Sequence, residues 1–146
     1  MNTAIMKIST LLFGATLSAC LVPAVAFAGG IVVIVNKAND NAIDKALVAK
    51  IYQGASRTWP NGGSIAALDL PEDNSSRSDF DAAIVGKGQG ALKSLWAQNV
   101  FTGKALPPKT AASDEDVKKA VAANKNAIGY IQSGSADDTV KVVVRQ

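Results

Sequence analysis

The chain has 146 residues, a formal charge of +3 and no histidine, which removes the commonest acid–base group and the commonest transition-metal ligand. It carries one cysteine, Cys20, so no intrachain disulfide supports the fold, and its lysines are scattered rather than gathered into the basic stripe that nucleic acid requires. Without histidine neither a Ser-His-Asp nor a Cys-His set can form; a Ser-Lys pair stays open, but no two residues mark one.

Residues 1–28 read as an export signal. Lys7 gives a sparse positive start, residues 8–19 form an apolar run too short to span a bilayer, and Pro23 breaks it. Ala26-Phe27-Ala28 then supplies the small-x-small pattern of a cleavage site, so the expected mature chain starts at Gly29 and forms one domain over residues 29–146 in the periplasm or outside the cell. The rival reading is a lipobox, Leu17-Ser18-Ala19-Cys20, with Cys20 lipidated as a membrane anchor; against it, the residues after Cys20 stay apolar through Phe27. No second long apolar run follows, so no transmembrane segment is expected in the mature chain.

Residues 31–35 are all apolar and all β-branched, which predicts a strand buried on both faces. Asp40 or Asn41 is the expected cap of a helix in which Ile43, Leu47 and Ile51 share the inner face and Gly54 is the stop. A second strand is expected over residues 65–70. A helix follows over 76–85, with Phe80, Ala83 and Ile84 on one face, and another over 91–100, with Leu92, Leu95, Trp96 and Val100 at helical spacing. Pro107-Pro108 stiffens the next loop. Ser113 followed by Asp114-Glu115-Asp116 predicts a helix start, with a cap and carboxylates at its positive end and Val117 and Val121 facing inward. A metal site is the poorer reading of these carboxylates, because adjacent helical residues point in different directions. Short strands over 127–131 and 140–144, separated by a turn containing Asp137-Asp138, complete the chain. Strands alternating with helices predict an α/β fold with a mainly parallel sheet and flanking helices.

The segment between the second strand and Phe80, Glu72-Asp73-Asn74-Ser75-Ser76-Arg77, is the candidate site. A strand that ends in a Ser-rich loop opening a helix presents free N–H groups and a positive helix end to a small anion. Ser75 and Ser76 can donate hydroxyl hydrogen bonds, Arg77 can add a charged fork, and Asp73 can accept the proton of hydrogen phosphate while repelling sulfate. The plainer reading is an ordinary cap at Asn74 or Ser75 with a solvated Arg77. Trp59 and Trp96 read as packing, and Tyr130 as a packed ring whose hydroxyl needs a partner. No cofactor is implied.

With these residues in order, the chain resembles the phosphate-binding periplasmic proteins of ABC importers, as one lobe of their two-lobed, type II binding-protein fold. The resemblance runs through Ile51-Tyr52-Gln53-Gly54, Thr58-Trp59-Pro60-Asn61-Gly62, the Ser loop leading to Phe80, Trp96, Phe101-Thr102-Gly103 and Ala127-Ile128-Gly129-Tyr130, nearly all of the expected mature chain. It implies non-enzymatic binding of a phosphate-like anion in service of an ABC importer. The family's Ser-Gly-Thr loop is replaced by Asn74-Ser75-Ser76, in which Ser76 keeps the spacing to Phe80; Asn74 and Ser76 are the positions the resemblance carries over. The family's arginine precedes this loop, whereas Arg77 follows it. A lone lobe also lacks the opposite wall, so a second protein or a second copy would have to complete the cleft. The alternative is a structural or protein-interaction module that kept the lobe and lost ligand capture.

Overall fold

The computed structural model describes residues 29–146; the expected signal peptide and cleavage site, and the rival lipobox at Cys20, lie outside the described residues. Five strands, β1 (Ile31–Val35), β2 (Ala66–Asp69), β3 (Lys109–Thr110), β4 (Ala127–Gln132) and β5 (Lys141–Arg145), form one sheet in the order β3-β2-β4-β1-β5. β2 is parallel to β3 and β4, whereas β1 is antiparallel to β4 and β5, so β1 alone runs against the others. The α/β class with flanking helices is what the chain adopts, in a sheet mostly but not purely parallel. The unbroken apolar run of β1 reflects its place between two strands with both faces covered, and every residue in it is buried.

The first helix, α1 (Lys45–Tyr52), is capped by Asp44, whose Oδ1 accepts the Leu47 N–H at 2.8 Å. Asp40 and Asn41 do not cap it. Asn41 is tied to the preceding loop, donating its backbone and side-chain N–H groups to Asn39 Oδ1. The buried face of α1 is Val48, Ile51 and Tyr52, and Leu47 is only half-buried. The face is set by Tyr52, whose hydroxyl reaches in to donate to the Leu68 carbonyl at 2.7 Å. Gly54 ends this segment with φ of 77°, a conformation that favours glycine, and a side chain there would strike Asn99 and Trp96.

The helix α2 (Ser75–Phe80) continues as a π-helical turn, Asp81–Val85. α3 (Gln89–Phe101) follows, and α4 (Asp114–Ala123) is capped as expected by Ser113, whose Oγ accepts the Asp116 N–H at 3.2 Å. Because side chains alternate along β4, Gly129 and Tyr130 face opposite ways. Gly129 admits α4 so closely that a Cβ would collide with Val117. On the other face the Tyr130 ring stacks on Phe80 at 3.8 Å between centroids, and Tyr52 meets the Phe80 ring edge-on at 4.7 Å. This aromatic cluster fixes α1 and α2 against the sheet and so sets where β2 delivers the candidate site.

Candidate functional site

The site grows from the end of β2. Asp69 there is 8% exposed, and its Oδ1 accepts a short hydrogen bond from the Tyr130 hydroxyl and the Leu70 N–H at 2.9 Å. Tyr130 thus finds the partner its buried hydroxyl needs, across 61 residues of sequence. Arg77 turns inward rather than into solvent. Its Nη1 donates to the Leu70 carbonyl at 2.9 Å and its Nη2 lies 3.3 Å from Asp69 Oδ2. Its Nε lies 3.9 Å from Asp81 Oδ2, too far to bond, and neither atom has a hydrogen-bond partner among the described residues. One guanidinium therefore faces two carboxylates. Burial, then the neighbouring Asp69, raises the Asp81 carboxyl to about 6, with Arg77 opposing. Burial likewise raises Asp69, against the hydrogen bond from Tyr130 and the charge of Arg77. Burial and the Asp69 charge push the Tyr130 phenol up, so it stays a proton donor.

The loop residues divide into two groups. Asp73 and Ser75 are exposed. Asn74 is the helix cap, its Oδ1 accepting the Ser76 N–H at 2.9 Å. Ser76 is 2% exposed and its Oγ accepts from Gln132 Nε2 at 3.2 Å, which joins α2 to the end of β4. The Arg77 and Ser78 N–H groups turn back to the Asn74 carbonyl. Most donors of this helix start are thus engaged within the lobe, leaving the Ser75 hydroxyl and N–H toward solvent. At this end of the sheet lies an open groove of about 530 Å³, whose lining includes Asp69, Glu72, Arg77, Gln89, Lys93, Trp96 and Thr110. Of the candidate segment, Glu72 and Arg77 line it; Asp73, Asn74, Ser75 and Ser76 lie outside its lining.

Sequence reading does not reach Asp69, Asp81 or Gln132. A lone carboxylate ending an apolar strand, and an acid four residues after Arg77, are the signals that point to the first two. The indoles of Trp59 and Trp96 donate to the carbonyls of Asn126 and Tyr52, as packing residues do. The acidic start of α4 is spent on structure: Asp114 Oδ2 accepts the Gln132 N–H at 3.0 Å, and Glu115 pairs with Lys118 at 2.9 Å. Among the described residues no group of three His, Cys, Asp or Glu side chains is placed to hold a metal ion.

β2 and β4 run parallel, and polar groups gather at their ends, as in α/β sheets flanked by helices. A family model described as the PBP superfamily domain matches residues 22–144, and the chain belongs to that superfamily. Solved structures with the same fold include an ABC-type phosphate transport receptor from Vibrio cholerae, 21% identical with a TM-score of 0.62 over 79% of this chain and 45% of the receptor. A protein from Clostridium perfringens, assigned as a phosphate ABC transporter substrate-binding protein and solved with bound phosphate, is 24% identical with a TM-score of 0.64 over 79% of this chain and 44% of that one. PstS from Borrelia burgdorferi is 15% identical with a TM-score of 0.60, over 79% and 46% respectively. The chain therefore spans under half the length of these structures. No curated protein matches it significantly. Among the described residues no helix is long and apolar enough to cross a membrane.

Proposed function

We propose that this chain is an exported, non-enzymatic binder of phosphate or a related oxyanion, with the anion at the outer end of β2 against Asn74, Ser75, Ser76 and Arg77. Asp73 stands at the rim, where it can accept the proton of hydrogen phosphate. The observation that carries the reading is the strand–loop–helix turn that brings Asn74, Ser76 and the Arg77 guanidinium to one end of the sheet, in a fold shared with phosphate-transport receptors. Two buried carboxylates offset the arginine, so affinity is modest and electrostatic in origin. Protonation of Asp81, raised to about 6, lessens the repulsion, so binding of an anion of fixed charge strengthens as pH falls. Sulfate, which keeps its charge in this range, is the probe for that effect. This lobe walls the ligand on one side, and the opposite wall comes from outside it, from an importer subunit, another protein or a second copy.

A two-dimensional NMR titration with phosphate tests the assignment. Saturable shifts at the Ser75, Ser76, Arg77 and Ser78 amides are expected, and they weaken in Ser76→Ala. The second reading, an interaction module without ligand capture, is favoured by one observation: Asn74, Ser76 and Arg77 already have partners inside the lobe. Unmoved amides in a folded protein favour that reading.

A further inference from the structure

The end of α3 and the loop after it carry the most exposed large apolar residues of the described chain: Phe101 at 91%, Leu106 at 81% and Val100 at 47%. The following loop is held against this helix end, since the Lys104 N–H donates to the Asn99 carbonyl at 2.8 Å and Arg57 Nη1 donates to the Lys104 carbonyl at 2.5 Å. The exposed side chains therefore stand on fixed backbone. Leu106 lines a second groove, about 410 Å³, together with Ile51, Ile65 and Trp96. It is separate from the Arg77 groove, although Trp96, Pro107 and Pro108 line both. Its charged lining residues are Arg57 and Lys109, with no carboxylate among the described residues that line it. Lys104, exposed in the loop after α3, adds to the same sign.

We propose that this surface docks a protein segment that places an apolar side chain in the groove and carboxylates against Arg57, Lys104 and Lys109. Apolar residues that stand out of the surface on rigid backbone, next to a concave apolar slot, have the make-up of an interface core with a charged rim. Charge complementarity selects the occupant. Residues 1–28 of this chain are apolar but contain no Asp or Glu, so they cannot satisfy the rim. A flat anionic membrane surface satisfies the cations but leaves the slot unfilled. An acidic and apolar protein segment satisfies both. The inference stands apart from oxyanion binding and holds whether or not phosphate is captured.

The test uses the protein purified after export, a synthetic peptide alternating Glu with Phe and Leu, a Lys-for-Glu counterpart, and a Glu–Ala control. The expected result is that the acidic apolar peptide alone shifts the NMR signals of Trp96, Leu106 and Arg57 at millimolar concentration. Leu106→Ser and Lys109→Glu are each expected to weaken it by about tenfold while the spectrum stays that of a folded protein. Phe101→Ser, fully at the surface, is a third variant with little risk to folding. Equal shifts from the Lys and Glu peptides, or none from either, overturn the proposal. So does binding to phosphatidylglycerol vesicles that the Leu106 variant abolishes, which makes the surface membrane-facing. Concentration-dependent dimerisation lost in Phe101→Ser overturns it in favour of a second copy.

Discussion

The buried carboxylate Asp81 makes stability fall as pH rises. Its folded-state value is about 6 against an ordinary 3.8. Between these values the folded protein holds the proton and the unfolded chain has released it, so each step up in pH favours unfolding. The stabilising contribution is whole below the unfolded value and is lost as pH climbs through about 6. At 1.36 kcal/mol per pKa unit the loss has a ceiling of about 3 kcal/mol, and adjustment of Arg77 toward the ionised carboxylate brings the expected figure to about 1–3 kcal/mol. Asp69, also raised by burial, acts with the same sign. The Asp81→Asn variant isolates the effect, since the amide copies the neutral acid and leaves Arg77 its contacts to Asp69 and the Leu70 carbonyl. Urea melts at fixed slope are the assay. Asp81→Asn is expected to match wild type near pH ~4 and to exceed it by about 1–3 kcal/mol near pH ~8. Wild-type stability that is flat or rising from pH ~4 to ~7, or an Asn variant weaker than wild type near pH ~8, refutes the reasoning.

Phe80→Ala, which empties the space between Tyr52 and Tyr130, is expected to cost about 3–5 kcal/mol in denaturant melts. Gly129→Ala drives a methyl into Val117 and is expected to cost about 1–3 kcal/mol, with relief on adding Val117→Ala in a double-mutant cycle. On α1, Leu47→Ala is expected to cost less than about 2 kcal/mol because the side chain is only half-buried. Val48→Ala, at a site with no exposed surface, is expected to cost more despite the smaller deletion; the reverse order in melts means the helix packs on another face.

How far the sequence could be read depended on whether the governing interaction was local. The run 31–35 announced a strand covered on both faces, because burial is written in side-chain type; its direction was not, since antiparallel pairing with β4 joins residues a hundred positions apart. Ser113 and Gly54 were legible because caps and left-handed stops act within one turn. Asp44 was not, because Asn41 is an equally good cap by type and is withdrawn by its bonds to Asn39. The edge strand β3 has two exposed residues and no pattern to detect. At the candidate site, Asn74 as helix cap followed from its residue type. The inward turn of Arg77 did not, because it rests on Asp69 and the Leu70 carbonyl, placed there by the sheet. Asp81 beside it was signalled by its spacing of four residues, but the burial that leaves Arg77 Nε and Asp81 Oδ2 without a hydrogen-bond partner among the described residues was not.

The central claim is that this lobe captures a phosphate-like anion, and calorimetric titration of the purified protein with phosphate and with sulfate tests it most directly. The account predicts saturable binding in the millimolar range or tighter, weakened by added salt as an open ionic site requires. It also predicts a loss in Ser76→Ala of about 0.5–1.5 kcal/mol, with a larger loss in Arg77→Ala. No binding of either anion at millimolar concentration by a folded protein contradicts it.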